Sequence, residues 1–468
     1  MREKLKQTYL YKHKTWFIIL FFIYLIPALC FFYEDSNSIA RQGMNVWTAL
    51  FNGRFLEYYS FNVESVYRGE MRDVANYDML LNVLIGIWHL PLYIAERIRG
   101  GNILDLVAAR TFSKLLPVVF TFLSGYELRR LGKSFGLPEK RTDILYILFM
   151  TGTFVLIPCC MVGQVDSMGA YFLIIAVCAL KEKKTLRFII FGTLAVQCKS
   201  FGIFVFLPLY MLVEKRLSRL IPVALIPVIA SRIIQLPFSL ADPAGAAAKR
   251  PRLWILLDYM TRTRIDFMGV EVPILFILLG VVMMAAYYID CSEENRGEMI
   301  LYFAACSMLP MILSLWSHPQ WMMYMYPFLI TLICAREDKL FRRLLYETAA
   351  TFSLTAAYIV SFSDVFGEAN MKGMLIEKLF PTLYGGDLLV KIVERISDEK
   401  YLHVWKFSYA VFAVWIAGCV IMYCPLIAKR YKDRISDSSD EKYAGRLLYL
   451  RAVCGFVLCS ISLFLYFV

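Results

Sequence analysis

Apolar stretches of about the length of a membrane crossing recur along the whole chain, separated by short polar segments rich in lysine and arginine. The first runs from Trp16 to Tyr33. Later ones fall at 143–158 and 167–180, 187–198 and 201–213, 220–236 and 268–288, 299–316 and 322–335, and 345–362 and 405–427, with a last at about 447–467. A helix crosses the hydrocarbon core with roughly 20 apolar residues, and only a helix satisfies its own backbone there without neighbours. The pattern therefore predicts spanning helices.

Basic clusters mark the turns: Lys4/Lys6/Lys12/Lys14, Arg129/Arg130/Lys133/Lys140/Arg141, Lys181/Lys183/Lys184/Arg187, Lys215/Arg216/Arg219, Arg336/Lys339/Arg342/Arg343 and Lys429/Arg430/Lys432/Arg434. Cytoplasmic loops carry such clusters, and placing them all inside makes the stretches pair, each pair crossing out and back. The acidic loop from Asp290 to Glu298 joins them by parity alone. Leu80 to Ile98 breaks the parity, because counting it as a crossing puts Arg129 and Arg130 outside. The consistent solution keeps residues 34–111 on the external face as a large first loop, with 80–98 as a re-entrant or interfacial helix. Its Trp88, His89, Pro91 and Tyr93 suit a headgroup interface.

The expected fold is an all-α polytopic membrane protein with about 11–13 transmembrane helices. Residues 1–468 form a single integral membrane domain. Further external loops lie at 237–268 and 363–405, and a cytoplasmic linker at 429–446. No small-residue cleavage site follows the first stretch, so it reads as a retained span.

Composition agrees with this class: 59% hydrophobic and 19% charged residues, with a mean hydropathy of +0.57, exclude an ordinary soluble globule. The net charge of +12 sits in the turn clusters, so it reports topology and implies lipid contact, with no nucleic-acid partner. The twelve cysteines, among them Cys30, Cys178, Cys306 and Cys459, lie mostly inside apolar stretches without a CxxC. They read as small buried hydrophobes.

Candidate chemistry begins with Glu34 and Asp35, directly after the first stretch. Carboxylates beside lipid are costly without a use or a wet cavity; the plainer reading is that Asp35-Ser36 caps the next helix. Asp166, in the turn Gly163-Gln164-Val165-Asp166-Ser167, carries the same two readings. Lys199, with Gln197 and Ser200, sits where two stretches meet and either snorkels or pins a phosphate. His318 and Gln320 stand between Trp316 and Trp321. An aromatic belt explains the tryptophans but not His318, one of four histidines. Arg41 can reach a phosphate or pair with Glu34. Arg250 and Arg252 offer a fork for phosphate, or simply a basic loop near lipid heads. No cofactor is certain: Glu34, Asp35, Asp166 and His318 are hard ligand types that leave room for a divalent metal, but on separate loops they are no metal motif. No Walker-type phosphate loop is present.

Taken together, the first span, the acidic pair and the long first loop with in-plane helices resemble the GT-C superfamily of membrane glycosyltransferases. Ala108-Ala109-Arg110, leading through Phe112 to Tyr126 into Glu127-Leu128-Arg129-Arg130-Leu131-Gly132, looks like the second transmembrane helix of those enzymes. Gly163-Gln164-Val165-Asp166 resembles the Gly-Gln-x-Asp of bacterial and GPI-type mannosyltransferase relatives. Ser317-His318-Pro319-Gln320-Trp321, followed by Tyr326-Pro327-Phe328, is similar to the His/Ser-Pro-Gln-aromatic motif of related bacterial members. The likeness covers most of the layout and is specific in these three places.

The resemblance implies inverting transfer of a hexose, mannose favoured, from a polyprenyl-phosphate carrier to a glycan or lipid-linked glycan acceptor on the external face. It makes Asp35 the general base, with Glu34 as runner-up. Lys199, His318, Gln320, Arg41, Arg250 and Arg252 become donor contacts; Asp166 and Gln164 become acceptor or supporting groups. The pair is Glu-Asp where the family has Asp-Asp. The uncleaved first span with lysines inside fits a bacterial plasma membrane with the N-terminus cytoplasmic, which the compact loops and the absence of a retrieval tail favour, or an endoplasmic reticulum membrane with a lumenal site. Two rivals stand beside it. A surface-polysaccharide polymerase or ligase would place its essential arginines and histidine in a large late external loop, where 363–405 holds only Arg395 and His403. A flippase or transporter would show paired repeats and broken midplane helices, and neither is legible in the chain.

Overall fold

Each predicted apolar stretch contains a helix in the computed structural model, which describes residues 14–72, 74, 77–248, 258, 261–314, 318–335, 339–381, 388–397, 402–425 and 438–467. Among the described residues, sheet is limited to a hairpin of Arg264–Phe267 and Val270–Pro273. The protein is an all-α polytopic membrane protein.

Fewer helices cross unaided than the 11–13 expected. Five are long and apolar enough (Met79–Arg99, Val107–Ser134, Leu217–Ala241, Arg296–Ser314 and Lys406–Tyr423), or up to seven if each of two bent pairs counts as one span. Thr185–Cys198, Ser200–Val213, Ile274–Tyr288 and Tyr326–Ala335 are shorter. At 1.5 Å per residue the last reaches only ~15 Å of a ~30 Å core. Division of apolar stretches into pieces accounts for part of the difference, while the unbroken Leu340–Ser361 falls short on composition, and one division contradicts the absence of broken helices read from the chain. Glu139–Met150 and Thr153–Val162 meet at 56° across Thr151-Gly152.

The run expected as a re-entrant or interfacial helix is the single helix Met79–Arg99, with the length and composition of a crossing that the sequence already displayed. His89 and Tyr93 are buried, and Pro91 alone of the four interfacial candidates is exposed; the Trp88 indole donates to Phe112 O at 3.1 Å. The helix lies against Glu34–Phe51 where two glycines meet, the small-residue device by which apolar helices approach closely. A Cβ on Gly43 would stand 2.8 Å from Ile85 Cγ2, and one on Gly86 3.1 Å from Gly43 O. Trp47 donates to Gly86 O at 2.6 Å. Ala at position 43 gains helix propensity but overpacks this seam, and the steric cost is the larger. Gly43→Ala is expected to destabilise by about 1–2 kcal/mol, read as a lower thermal midpoint in detergent.

The basic loops are tied to one another. Arg129 pairs with Asp143 at 2.5 Å, Arg130 with Glu182 at 3.9 Å, and Lys183 with Glu293 at 2.5 Å. The acidic 290–298 loop thus meets a basic cluster. Of the linker expected over 429–446, residues 429–437 lie outside the described residues, and 438–446 belong to the helix Ser438–Cys459. The 237–268 loop is partly helix, with Leu217–Ala241 running into it and Pro243–Ala248 following. The 363–405 segment holds the short helices Ser363–Phe366, Leu375–Leu379 and Leu388–Ser397.

Candidate functional site

A bend of 89° separates Lys14–Cys30 from Glu34–Phe51, and it sets both acids in the first turn of the second helix. Tyr33 is the N-cap and no side chain caps the turn, so Asp35 does not act as the cap. Negative charge in the first turn is nonetheless favourable to the helix dipole. The two acids then diverge. Glu34 is 70% exposed, with Arg72 Nη1 at 4.0 Å. Asp35 is half-buried, and its Oδ2 accepts from Gln164 Nε2 at 3.0 Å.

Gln164 reaches Asp35 because of what precedes it. The chain leaves Thr153–Leu156 through a π-helical turn, Ile157–Val162, and reverses at Gly163 with φ +70° and ψ +33°. That left-handed conformation suits glycine, and space demands it too: a Cβ there would lie 2.8 Å from Ser36 Cβ and 3.2 Å from Lys114 Cγ. π-Turns of this kind recur at functional sites. The buried Gln164 amide accepts from the Tyr77 hydroxyl at 3.2 Å. Its carbonyl faces the phenol, so its amino group faces the carboxylate.

Asp166 opens Asp166–Lys181, again within the first turn and not as a cap, which is Val165. Its side chain is fully buried, with Lys199 Nζ 3.7 Å from Oδ1. Lys199 ends Thr185–Cys198 in an extended conformation. It turns inward, its ammonium 5.6 Å from the Tyr77 ring and 5.9 Å from that of Phe201. Phe201 packs on Trp321 with centroids 4.7 Å apart, and Trp321 on His318 at 5.2 Å. Gln320 is half-buried in the 3₁₀ turn Pro319–Tyr324. One end of the bundle therefore gathers Asp35, Gln164, Asp166, Lys199 and His318 from four separate regions of sequence.

Burial, and after it the charge of Lys199, pulls His318 down to about 4. The ring is neutral at pH 7 and can both donate and accept. Since folded His318 binds its proton more weakly than an unfolded histidine near 6.5, its contribution to stability is present above about 6.5 and is lost as pH falls toward 4. Lys199→Gln removes only the second cause, so His318 should titrate higher, yet still below the ordinary value. Histidine-selective NMR in detergent reads this directly, four histidines giving few signals.

No protein-family model, curated protein or solved structure matches the chain.

Other candidates lie elsewhere. Arg41 is buried and committed to Glu96 through two hydrogen bonds, 2.5 and 3.0 Å, and to Asn102 Oδ1 at 2.6 Å, with Glu70 at 3.6 Å. It clamps the first loop, and its partners are Glu96, Asn102 and Glu70 in place of the Glu34 expected from the sequence. Arg250 and Arg252 lie outside the described residues. Among the described residues no three His, Cys, Asp or Glu side chains converge as metal ligands, so Glu34, Asp35, Asp166 and His318 form no common ligand set.

Two site residues escaped the sequence reading. Tyr77 touches both Gln164 and Lys199. Lys114 is wholly buried beside Gly163, and its Nζ has no hydrogen-bond partner among the described residues. A lysine within the largely apolar run from Phe112 to Tyr126 was a readable signal; an unremarkable tyrosine in a loop was not.

Proposed function

We propose that this protein is an integral membrane glycosyltransferase of GT-C type, moving a hexose from a polyprenyl-phosphate carrier to a glycan or lipid-linked glycan on the external face. The observation that carries the reading is the Asp35–Gln164 hydrogen bond. It joins the first-loop acid to the Gly-Gln-x-Asp turn across 129 residues.

In this reaction the acceptor hydroxyl oxygen attacks the anomeric carbon opposite the phosphate. Asp35 takes the hydroxyl proton as the new C–O bond forms, the task of a general base within hydrogen-bond reach. The anomeric C–O bond to phosphate breaks, and its electron pair stays on the polyprenyl phosphate. Charge grows on that leaving group, where fixed cations help most. Lys199, steadied by Asp166, is the cation to hand. Neutral His318 offers a ring N–H donor, and Gln320 a further polar contact. Gln164, oriented by Tyr77, aims the carboxylate. Mannose is favoured over glucose on the Gly-Gln-x-Asp likeness.

Purified protein in detergent, given radiolabelled polyprenyl-phosphate mannose or glucose with a mixed glycan acceptor, is expected to release water-soluble labelled sugar, more from the mannose donor. Folded protein that consumes neither donor counts against the reading. The broken span at Thr151-Gly152 favours one rival, a lipid-linked glycan flippase, because transporters commonly use such breaks. In proteoliposomes a flippase moves labelled lipid between leaflets without releasing sugar, and Asp35→Asn leaves that movement intact.

A further inference from the structure

Glu347 and Arg451 form an ion pair at 2.7 Å with both side chains fully shielded from solvent, inside stretches predicted to span. Glu347 belongs to Leu340–Ser361 and Arg451 to Ser438–Cys459. Tyr326, at the head of Tyr326–Ala335, completes the group: its hydroxyl lies 2.8 Å from Glu347 Oε1 and accepts from Arg451 Nη2 at 2.6 Å. Thr348 and Thr351 hydroxyls stand 3.3 and 3.4 Å from Arg451 Nη1. Only Arg451 Nε lacks a partner within this set, so the group is saturated and is not built to hold a ligand. Ionisable groups at such depth are costly and call for a use, and a buried pair is by itself weak as a source of stability.

What the group touches suggests the use. Helix Glu139–Met150 stops at the break, and its last carbonyls lose their helical donors. Side chains answer for them. Tyr24 donates to Met150 O at 3.0 Å and Tyr326 Oη lies 3.3 Å from Leu148 O, while Ile147 O keeps the Thr151 N–H and gains the Thr151 hydroxyl at 2.8 Å. Gly152 leaves room for that tyrosine, since a Cβ there would stand 2.8 Å from Tyr326 Cε1. On the other side of the break, Thr355 donates to Thr153 Oγ1 at 2.6 Å. Thr355 sits on the same helix as Glu347.

Two arms run from this group to the candidate site. One goes from Thr153 through the π-turn to Gly163 and Gln164; the other is Pro319–Tyr324, which begins beside His318 and ends next to Tyr326. A Cβ on Gly169, in the helix Asp166–Lys181 that follows the first arm, would overlap the Tyr324 hydroxyl, so the second arm lies against that helix.

We propose that the Arg451–Glu347–Tyr326 group is a positioning unit that fixes the angle of the broken span, and through it the placing of Gln164 against Asp35 and of His318 beside Lys199. Its effect on chemistry rests on the proposed transferase reading; its effect on the span does not. All three are positioning residues, remote from any reacting atom.

Full-length Tyr326→Phe and Glu347→Gln test this, each compared with wild type in two ways. The first readout needs no activity: alkylation by N-ethylmaleimide of Cys159 and Cys160, which are fully buried on the π-turn, mapped by mass spectrometry. Cys178, buried at the far end of Asp166–Lys181, reports general unfolding. Both variants should raise alkylation of Cys159 and Cys160 about tenfold by easing local opening, with Cys178 still protected. If Glu347→Gln also exposes Cys178, the milder Tyr326→Phe decides. The second readout is turnover: kcat should fall while donor KM stays near wild type. Alkylation at the wild-type rate overturns the proposal, as does raised alkylation with unchanged kcat in an active enzyme. A wild type that releases no sugar instead overturns the transferase reading, and alkylation alone then decides the role of the group in the span.

Discussion

Asp35→Asn is expected to slow sugar transfer by about 10²–10⁴-fold, the usual worth of a general base, with donor affinity within about twofold of wild type. The substitution keeps shape and keeps an oxygen for Gln164 Nε2, which now donates to the carboxylate at 3.0 Å. What it removes is the basicity that takes the acceptor proton. A base works only while the transfer is under way, so its loss falls on kcat and spares ground-state binding. Glu34→Gln supplies the contrast. Glu34 is largely exposed beside Arg72, and its neutralisation should change the rate by less than about threefold. Steady-state rates paired with equilibrium donor binding check both variants. The reverse order, with Glu34→Gln inactive and Asp35→Asn active, would transfer the role to Glu34.

The largest stability effect should come from Arg451→Met. Removing one partner leaves Glu347 charged or forced to protonate in a site with no access to solvent, a change that costs about 3–5 kcal/mol for a buried pair. The double variant Glu347→Leu with Arg451→Met removes both charges. It should regain most of that loss, since apolar residues of similar volume replace buried pairs at little cost. Thermal unfolding midpoints in one detergent compare the three proteins. If the double variant is less stable than Arg451→Met alone, the penalty of a stranded carboxylate is not the controlling effect. The positioning role predicts in addition that the double variant, though stable, leaves Tyr326 loose and Cys159 and Cys160 open to alkylation.

The helices were legible because the signal for each is local. Apolar runs such as 220–236 and 405–427 need no partner to be recognised; the first lies within Leu217–Ala241, and the second forms Leu402–Tyr423 over most of its length. Asp35, Gln164, Asp166, Lys199 and His318 were legible for a related reason: each is a polar residue where an apolar run stops. Their convergence, and the depth at which Asp166 is buried against Lys199, are tertiary facts. Arg41 shows the limit most plainly. Its neighbours in sequence suggested Glu34, whereas its partner Glu96 lies 55 residues away. The break at Thr151-Gly152 was hidden likewise, because a Thr-Gly pair within an apolar run can continue a helix. It is sustained by the hydroxyls of Tyr24 and Tyr326 from distant segments. The glycine seam of Met79–Arg99 against Glu34–Phe51 was hidden as well, because charge parity along the chain does not register which helices touch.

The most direct measurement follows labelled polyprenyl-phosphate mannose through wild type and Asp35→Asn prepared identically, scoring donor retained on the protein and sugar released. The transferase account predicts equal retention by both and release by the wild type alone. Release by Asp35→Asn at the wild-type rate would contradict the role given to Asp35, and retention without release by the wild type, with acceptor supplied, would contradict the transferase itself.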